Sequence, residues 1–415
     1  MSTRRIVFVC RALAGEALRC ARAIQALDGV TLLNVCVEDV DDVAGLIAAA
    51  KSFGGVNRIV TAQETLLATV AAANEALGLT AMTGEVVDRV LNKSKLKSTL
   101  RRAGVATARD QIIERAEDVR RFVDDVEFPI VLKPLNGSGA VTTFRITTEE
   151  QLARMLKLIQ PPVIAETYLI GQELCFDTVT IASEPQCYSV CCYDPPILDA
   201  LENQATRWRC VMPRDLSPYK AFIDEGLTAV RALDVGNAMT HMEGFIDASG
   251  RPAGFVDATL RPAGARIGPM FGSAYDVDPY HVWARVAVDD AFDGPLERKY
   301  AVGTIFLRDL GSGSVEIIDG IETVTAELSG TIVESRWPRI GGAKSATYTG
   351  DGFVTVRDAD TAVVQNALDF IDQSIRITYS SSQPSETGWS ERMDNFRELN
   401  KPAWEFEAAA VKRES

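Results

Sequence analysis

Among its 415 residues the chain has no run of about 18 consecutive apolar residues, so no transmembrane helix is expected. It also lacks C-x-x-C pairs at zinc spacing. Its eight cysteines lie scattered through apolar, strand-like segments, and even the neighbours Cys191 and Cys192 read as buried reduced thiols of a cytoplasmic protein. The first turn, CRALAGEALR, has no G-x-G-x-x-G, which removes the support for dinucleotide binding there. Positive charge is scarce. Lys plus Arg number 43 against 57 Asp plus Glu, a formal charge of −14. Such a chain makes no basic footprint for nucleic acid or an anionic membrane, although a local cluster of cations can still hold a small polyphosphate. The opening MSTRRIVFVC has the arginines and short apolar stretch of a secretory leader, but Arg11 and Glu16 interrupt it at once. Alternation over 5–10 reads better as a first buried strand.

The length predicts two or three domains, and an apolar fraction of 47% with 24% charged residues is ordinary for a globular protein. Short apolar runs at 5–10, 31–37 and 57–60 alternate with helical patterns at 15–28, 40–53 and 63–77, which predicts an open parallel α/β sheet. Around 92 the pattern changes. Asn92 can cap a helix whose apolar face is Leu96, Leu100 and Ala103, with Gly104 as its stop. Val119, Phe122, Val123 and Val126 predict a helix before strand 129–133. The loop Asn136-Gly137-Ser138-Gly139-Ala140 then turns the chain into a strand at 141–146, and Thr147 with Glu150 reads as a capping box. With strands at 163–166 and 173–182, this unit resembles a lid. Residues 184–216 read as irregular. A helix starting at Ser217-Pro218 and stopping at Gly236 follows, then a hairpin of 238–246 and 254–260. Short strands with glycine turns, a strand at 353–357 and a last helix facing Val364, Leu368, Ile371 and Ile375 inward close the pattern. The expected fold class is therefore mixed α/β and α+β. The divisions are 1–91 for the leading α/β sheet, 92–190 for linker helix and lid, 191–380 for a mostly antiparallel α+β domain, and 381–415 for a charged tail.

Several residues carry potential chemistry. Lys93 opens a helix, and Lys133 ends a buried strand beside the glycine loop. There an ammonium and closely approaching backbone N–H groups suit a phosphate. Each feature alone also reads blandly, as a solvated lysine or a plain hairpin turn. The segment from Glu166 to Glu173 holds two carboxylates seven residues apart, and either one alone could be a solvated strand end. The hairpin says more. With a period of two, His241, Glu243 and Phe245 share one face, as do Phe255, Asp257, Thr259 and Arg261. Antiparallel pairing can bring Glu243 to Asp257, a pair that repels unless a cation such as magnesium lies between, while Arg261 can grip a carboxylate or phosphate. The alternative is a half-exposed strand pair whose acids face water.

Taken in order, Lys93, Lys133 with its glycine loop, E-x-Y-x-x-G-x-E, H-x-E and D-x-T-x-R-P-x-G resemble the ATP-grasp superfamily, from the N-terminal sheet to about residue 380. The stretch GGAKSATYTGDGFVTVRDADTAVVQNAL resembles the C-terminal part of carboxylate–amine ligases related to L-amino-acid ligases. The resemblance implies that Lys93 and Lys133 hold the ATP phosphates, with Gly137, Ser138 and Gly139 closing over them. It assigns adenine to Glu166 and the backbone of Thr167 and Leu169, ribose to Glu173, and magnesium to Glu243, Asp257 and Thr259. Arg261 would steady an acyl phosphate. The usual E-x-N-x-R pattern appears here with Asp257 and Thr259, a shorter carboxylate and a poorer oxygen ligand, so one or two magnesium ions are implied. Neither His241 nor His281 is required as a base. The implied activity joins a small carboxylate to an amine, both amino-acid-like, in a cytoplasmic enzyme that is expected to be a homodimer, with no nucleic-acid or membrane partner. A carboxylase or kinase-like enzyme on a small metabolite, or a non-catalytic nucleotide-binding protein, would use the same site. Substrate pockets are expected in 184–216 and 265–280. Arg207, Arg209 and Arg266 there could meet an acidic substrate or form ordinary salt bridges.

Overall fold

The computed structural model describes residues 4–135, 142–156, 162–203 and 206–383. The chain begins with β1 (Arg4–Cys10), α1 (Gly15–Gln25), β2 (Val30–Cys36), α2 (Val43–Ser52), β3 (Arg58–Val60) and α3 (Leu67–Ala76). Its three strands form a parallel sheet in the order β2-β1-β3. From Ile6 to Cys10 every residue is buried, as a central parallel strand covered on both faces requires. Next, α4 (Gly84–Leu91) leads directly into α5 (Lys93–Arg102). The Asn92 side chain accepts a hydrogen bond from Lys95 N at 3.2 Å, and Gly104, at φ +78°, ends the helix where the sequence predicts.

The following unit comprises β4 (Asp110–Ile113), α6 (Ala116–Val126), β5 (Ile130–Pro134), β6 (Phe144–Ile146), α7 (Glu149–Met155) and β7 (Val163–Thr167). Its antiparallel sheet runs β4-β7-β5-β6, and its apolar core, including Ile113, Phe122, Ile130, Leu132 and Leu152, is built wholly from this unit. One local expectation shifts by a residue. Thr148, not Thr147, caps α7 by accepting from Gln151 N at 3.2 Å, and the Gln151 side chain reaches back to Thr147 N at 2.7 Å.

The largest sheet begins with β8 (Gln172–Ile181) and β9 (Glu184–Asp194). It continues through α8 (Ile197–Glu202), β10 (Arg209–Met212), α9 (Lys220–Leu233), β11 (Ala238–Ile246) and β12 (Pro252–Thr259). After α10 (Ile267–Tyr275) and α11 (Pro279–Asp289) come β13 (Ala301–Leu307), β14 (Ser312–Asp319), α12 (Ile321–Glu327), β15 (Ile332–Arg336), β16 (Gly352–Asp358), α13 (Thr361–Ser374) and β17 (Arg376–Ser381). Eight of these strands assemble in the order β12-β11-β8-β9-β10-β13-β16-β15, while β14 pairs with β17. The stretch expected to be irregular, 184–216, thus supplies two strands and a helix. It escaped sequence reading because the β8–β9 turn uses Ala182 and Ser183 at φ +49° and +65°, without the Asn or Gly that normally marks such a turn. Likewise, Asp234 (φ +48°) takes the left-handed position ending α9, two residues before the expected Gly236. The segment 265–280 is largely helical, in α10 and the start of α11. Residues of β1 and α1 share one core with β8–β10, α10 and α11, which fixes the leading sheet against the large one.

Candidate active site

Helical spacing places Lys93 and Lys97, four residues apart on α5, on one buried face with Leu96 and Leu100. The Lys93 ammonium donates to both Asp257 oxygens, at 3.0 and 2.9 Å. Lys97 is fully buried, pairs with Glu166 Oε1 and donates to the Val256 carbonyl at 3.1 Å. From the end of β5, Lys133 reaches Glu166 Oε2 at 3.0 Å and the same Val256 carbonyl at 3.3 Å. One carboxylate therefore sits between two ammonium groups, all nearly free of solvent. Burial alone would raise the Glu166 pKa, but Lys133 and Lys97 outweigh it and hold the carboxyl below its ordinary range. Lys97 moves down to about 8, through burial first and with Lys133 adding repulsion. Two cations sharing one carboxylate explain the Glu166 direction, whereas Lys97 is lowered mainly by its burial.

The hairpin brings its acids together. In the β11–β12 register Glu243 lies opposite Asp257 and His241 opposite Thr259. Glu243 accepts from the Tyr193 hydroxyl at 3.4 Å, and His241 Nε2 lies 3.5 Å from it. The other His241 nitrogen, Nδ1, lies 2.7 Å from Asp177 on β8, and this pairing overcomes burial to hold the imidazole pKa well above its ordinary value. Glu173 is buried and accepts from Ile197 N at 2.7 Å. Burial, then the nearby Glu243 charge, pushes its carboxyl up to about 8. Among the described residues the buried Thr259 hydroxyl has no hydrogen-bond partner. An oxygen-only donor set of Glu243, Asp257 and Thr259, with the two acids opposite each other across the strands and an unsatisfied hydroxyl, fits a magnesium ion.

Two cavities meet at this hairpin. Lys93, Lys133, Glu166, Leu169 and Glu173 line one, together with Glu243 and Asp257. The other is lined by Glu64, Tyr193, Trp208, Arg261 and Tyr348, again with Glu243, Asp257 and Thr259. Arg261 donates to Pro262 O at 2.9 Å and to Glu64 at 3.3 Å. A larger space of about 380 Å³ lies between α3, α4 and α11, but its walls are mainly apolar and include none of the lysines or carboxylates above.

Of the residues singled out in the sequence, Lys93, Lys133, Glu166, Leu169, Glu173, Glu243, Asp257, Thr259 and Arg261 converge on these adjoining cavities. Thr167 is turned toward β4, its N–H donating to Arg109 O at 2.9 Å and its hydroxyl accepting from Arg109 N at 3.1 Å. Gly137, Ser138 and Gly139 lie outside the described residues. Arg207, Arg209 and Arg266 form salt bridges, to Asp309 and Asp372, to Asp194 and Asp369, and to Glu334. Between two of them, Trp208 is wholly buried, and among the described residues its indole N–H has no hydrogen-bond partner. Sequence reading missed Lys97, although its spacing from Lys93 was a usable signal. It also missed Glu64, Asp177, Tyr193 and Tyr348, whose relevance comes only from tertiary contact.

No family model matches the chain. An alanine–anticapsin ligase of Bacillus subtilis is 30% identical over 151 residues, covering 33% of this chain and 30% of that protein, so the chain matches less than a third of this relative's length. The crystal structure of an L-amino acid ligase from Bacillus licheniformis superposes with a TM-score of 0.72 at 17% identity, over 92% of this chain and all of that one. The biotin carboxylase domain of Hydrogenobacter thermophilus 2-oxoglutarate carboxylase, solved with ADP, its magnesium salt and bicarbonate, gives 0.64 at 15% identity over 91% of each chain. The chain has the ATP-grasp fold, and across 151 of its residues its sequence is similar to that alanine–anticapsin ligase.

Proposed function

We propose that the chain is an ATP-dependent carboxylate–amine ligase acting on amino-acid-like small molecules. One observation carries the reading: two buried lysines, Lys93 and Lys133, and the paired acids of a hairpin line a cleft that adjoins a second cavity bearing Arg261. In this reading Lys93 and Lys133 bind the phosphates. Leu169 and Glu166 receive the adenine and Glu173 receives the ribose hydroxyls, while Thr167, expected from the sequence to join them, has its N–H committed to Arg109 O. The four-stranded unit over 110–167 is the lid. Glu243, Asp257 and Thr259 would hold magnesium, which supplies charge neutralisation between phosphate oxygens when bound. A substrate carboxylate oxygen attacks the γ-phosphorus and ADP departs. The amine then attacks the acyl carbon of the resulting acyl phosphate, inorganic phosphate leaves, and the proton the amine loses passes to that departing phosphate. Arg261, at the mouth of the second cavity, contacts the oxygens that gain charge in both displacements. The chain positions the reactants and stabilises charge without forming a covalent bond to either. His241, tied to Asp177, orients Glu243 and is not the base.

The test is a phosphate-release screen of paired carboxylates and amines, with products read by mass spectrometry. Phosphate release that depends strictly on the added amine supports the ligase. Release without any amine favours a kinase-like or carboxylating enzyme, and magnesium-dependent ATP binding with no ADP formed across the panel favours a non-catalytic nucleotide-binding protein.

A further inference from the structure

Building on the nucleotide assignment above, we propose that Lys97 is a positioning residue, the standing counter-ion of Glu166 that releases Lys133 to a bound polyphosphate. Glu166 is only 2% exposed, and its carboxylate divides its oxygens between Lys97 and Lys133. Lys133 lines the nucleotide cleft, whereas Lys97 has no part in its wall and no solvent-exposed surface. The two lysines therefore have unequal freedom. Lys133 can turn from Glu166 to a phosphate oxygen, but Lys97 can touch neither phosphate nor substrate.

A buried carboxylate that loses its only cation becomes an uncompensated charge, which is strongly destabilising. If Lys133 were the sole partner of Glu166, each binding event would carry that penalty. With Lys97 in place, Glu166 stays paired after Lys133 departs, and the excess positive charge of the trio is what the incoming anion neutralises. Lys97 also donates to the Val256 carbonyl, beside Asp257, so it ties β7 of the lid to β12, the strand that carries Asp257. The repulsion between Lys97 and Lys133 eases as Lys133 leaves, which favours the same exchange.

Calorimetric titration with magnesium tripolyphosphate tests this without involving adenine recognition by Glu166, alongside ATP as a control on the wild-type chain. Lys97→Met is expected to weaken tripolyphosphate binding at least tenfold, because Lys133 is then retained by Glu166. Lys97→Arg should stay within threefold of wild type, and the double variant Lys97→Met/Glu166→Gln should recover to within threefold, since no carboxylate remains to hold Lys133. Each variant is checked for folding by circular dichroism. Should Lys97→Met fail to fold, Glu166→Gln reads the same exchange from the other side and should bind tripolyphosphate at least as tightly as wild type. Equal binding by wild type and Lys97→Met, failure of the double variant to recover, or a tenfold loss in Glu166→Gln overturns the assignment of Lys97 alone. A wild-type chain that binds neither ATP nor tripolyphosphate overturns the ligase reading, and this inference with it.

Discussion

Replacing Glu166 by glutamine keeps the volume of the side chain and removes one charge from a trio that is almost entirely buried. Lys97 and Lys133, whose side chains are 0% and 7% exposed, then face each other across a neutral amide. Removing one partner of a buried ion pair typically costs about 3–5 kcal/mol. Here the loss has an upper bound, because Lys97 already sits at about 8 and can shed its proton once Glu166 is gone. The pH dependence follows in sign. In the variant the folded-state pKa of Lys97 drops further below its unfolded value, so the unfolded chain binds more protons over that interval and stability rises with pH. The expected result is a deficit of about 3–5 kcal/mol near pH 6 that narrows toward pH 9. Urea unfolding of both proteins across that range measures it. A deficit below about 1 kcal/mol at pH 6, or one that widens as pH rises, would refute the reasoning that the three groups form one charge-balanced cluster. The Lys97→Met/Glu166→Gln double variant should be more stable than Glu166→Gln, since it removes the second buried charge as well.

Other predictions follow from the same site. Glu173, pushed up to about 8, contributes stability that is complete below its unfolded pKa near 4.3 and lost as pH climbs through 8. The melting temperature of Glu173→Gln relative to wild type should therefore rise between about pH 5 and pH 8 and level off above that, in the absence of nucleotide, and a constant offset across pH 5–9 would contradict this. Lys133→Ala and Glu243→Ala should each lower ADP formation by at least about 100-fold while the circular dichroism spectrum is retained; normal turnover in either removes the assignment of the cleft. At Gly171, between the two carboxylates of E-x-Y-x-x-G-x-E, φ is +150° and an added Cβ would lie 2.0 Å from Ile246 O at the end of β11. Gly171→Ala should cost more than about 2 kcal/mol and weaken ATP binding, read by thermal melts with and without nucleotide.

Much of this architecture was legible locally. The alternation that places His241 and Glu243 on one face, and Asp257 and Thr259 on the other strand's matching face, predicted the cross-strand pairing of Glu243 with Asp257 that the hairpin adopts. The parallel leading sheet and the α5 cap at Asn92 were equally readable. The β8–β9 hairpin was not, because two non-glycine residues hold its left-handed turn and the surrounding contacts enforce what propensity does not suggest. The arginines around Trp208 were ambiguous until their acidic partners, 15 to 165 residues distant in the chain, were located.

By itself the sequence determined the periodic features: which residues face inward on the strands and helices it revealed, where α5 is capped, and which acidic and basic side chains share a face. Those depend on repeats of 2 and 3.6 residues and on neighbours within a turn. Only the tertiary structure decided that Lys97 and Lys133, from a helix and a strand, close on one carboxylate 69 and 33 residues away, and that Glu64 of the leading unit meets Arg261. Such pairings depend on how separately folded layers dock, and a buried charge takes whichever opposite charge that docking brings within reach, a choice that no local pattern encodes.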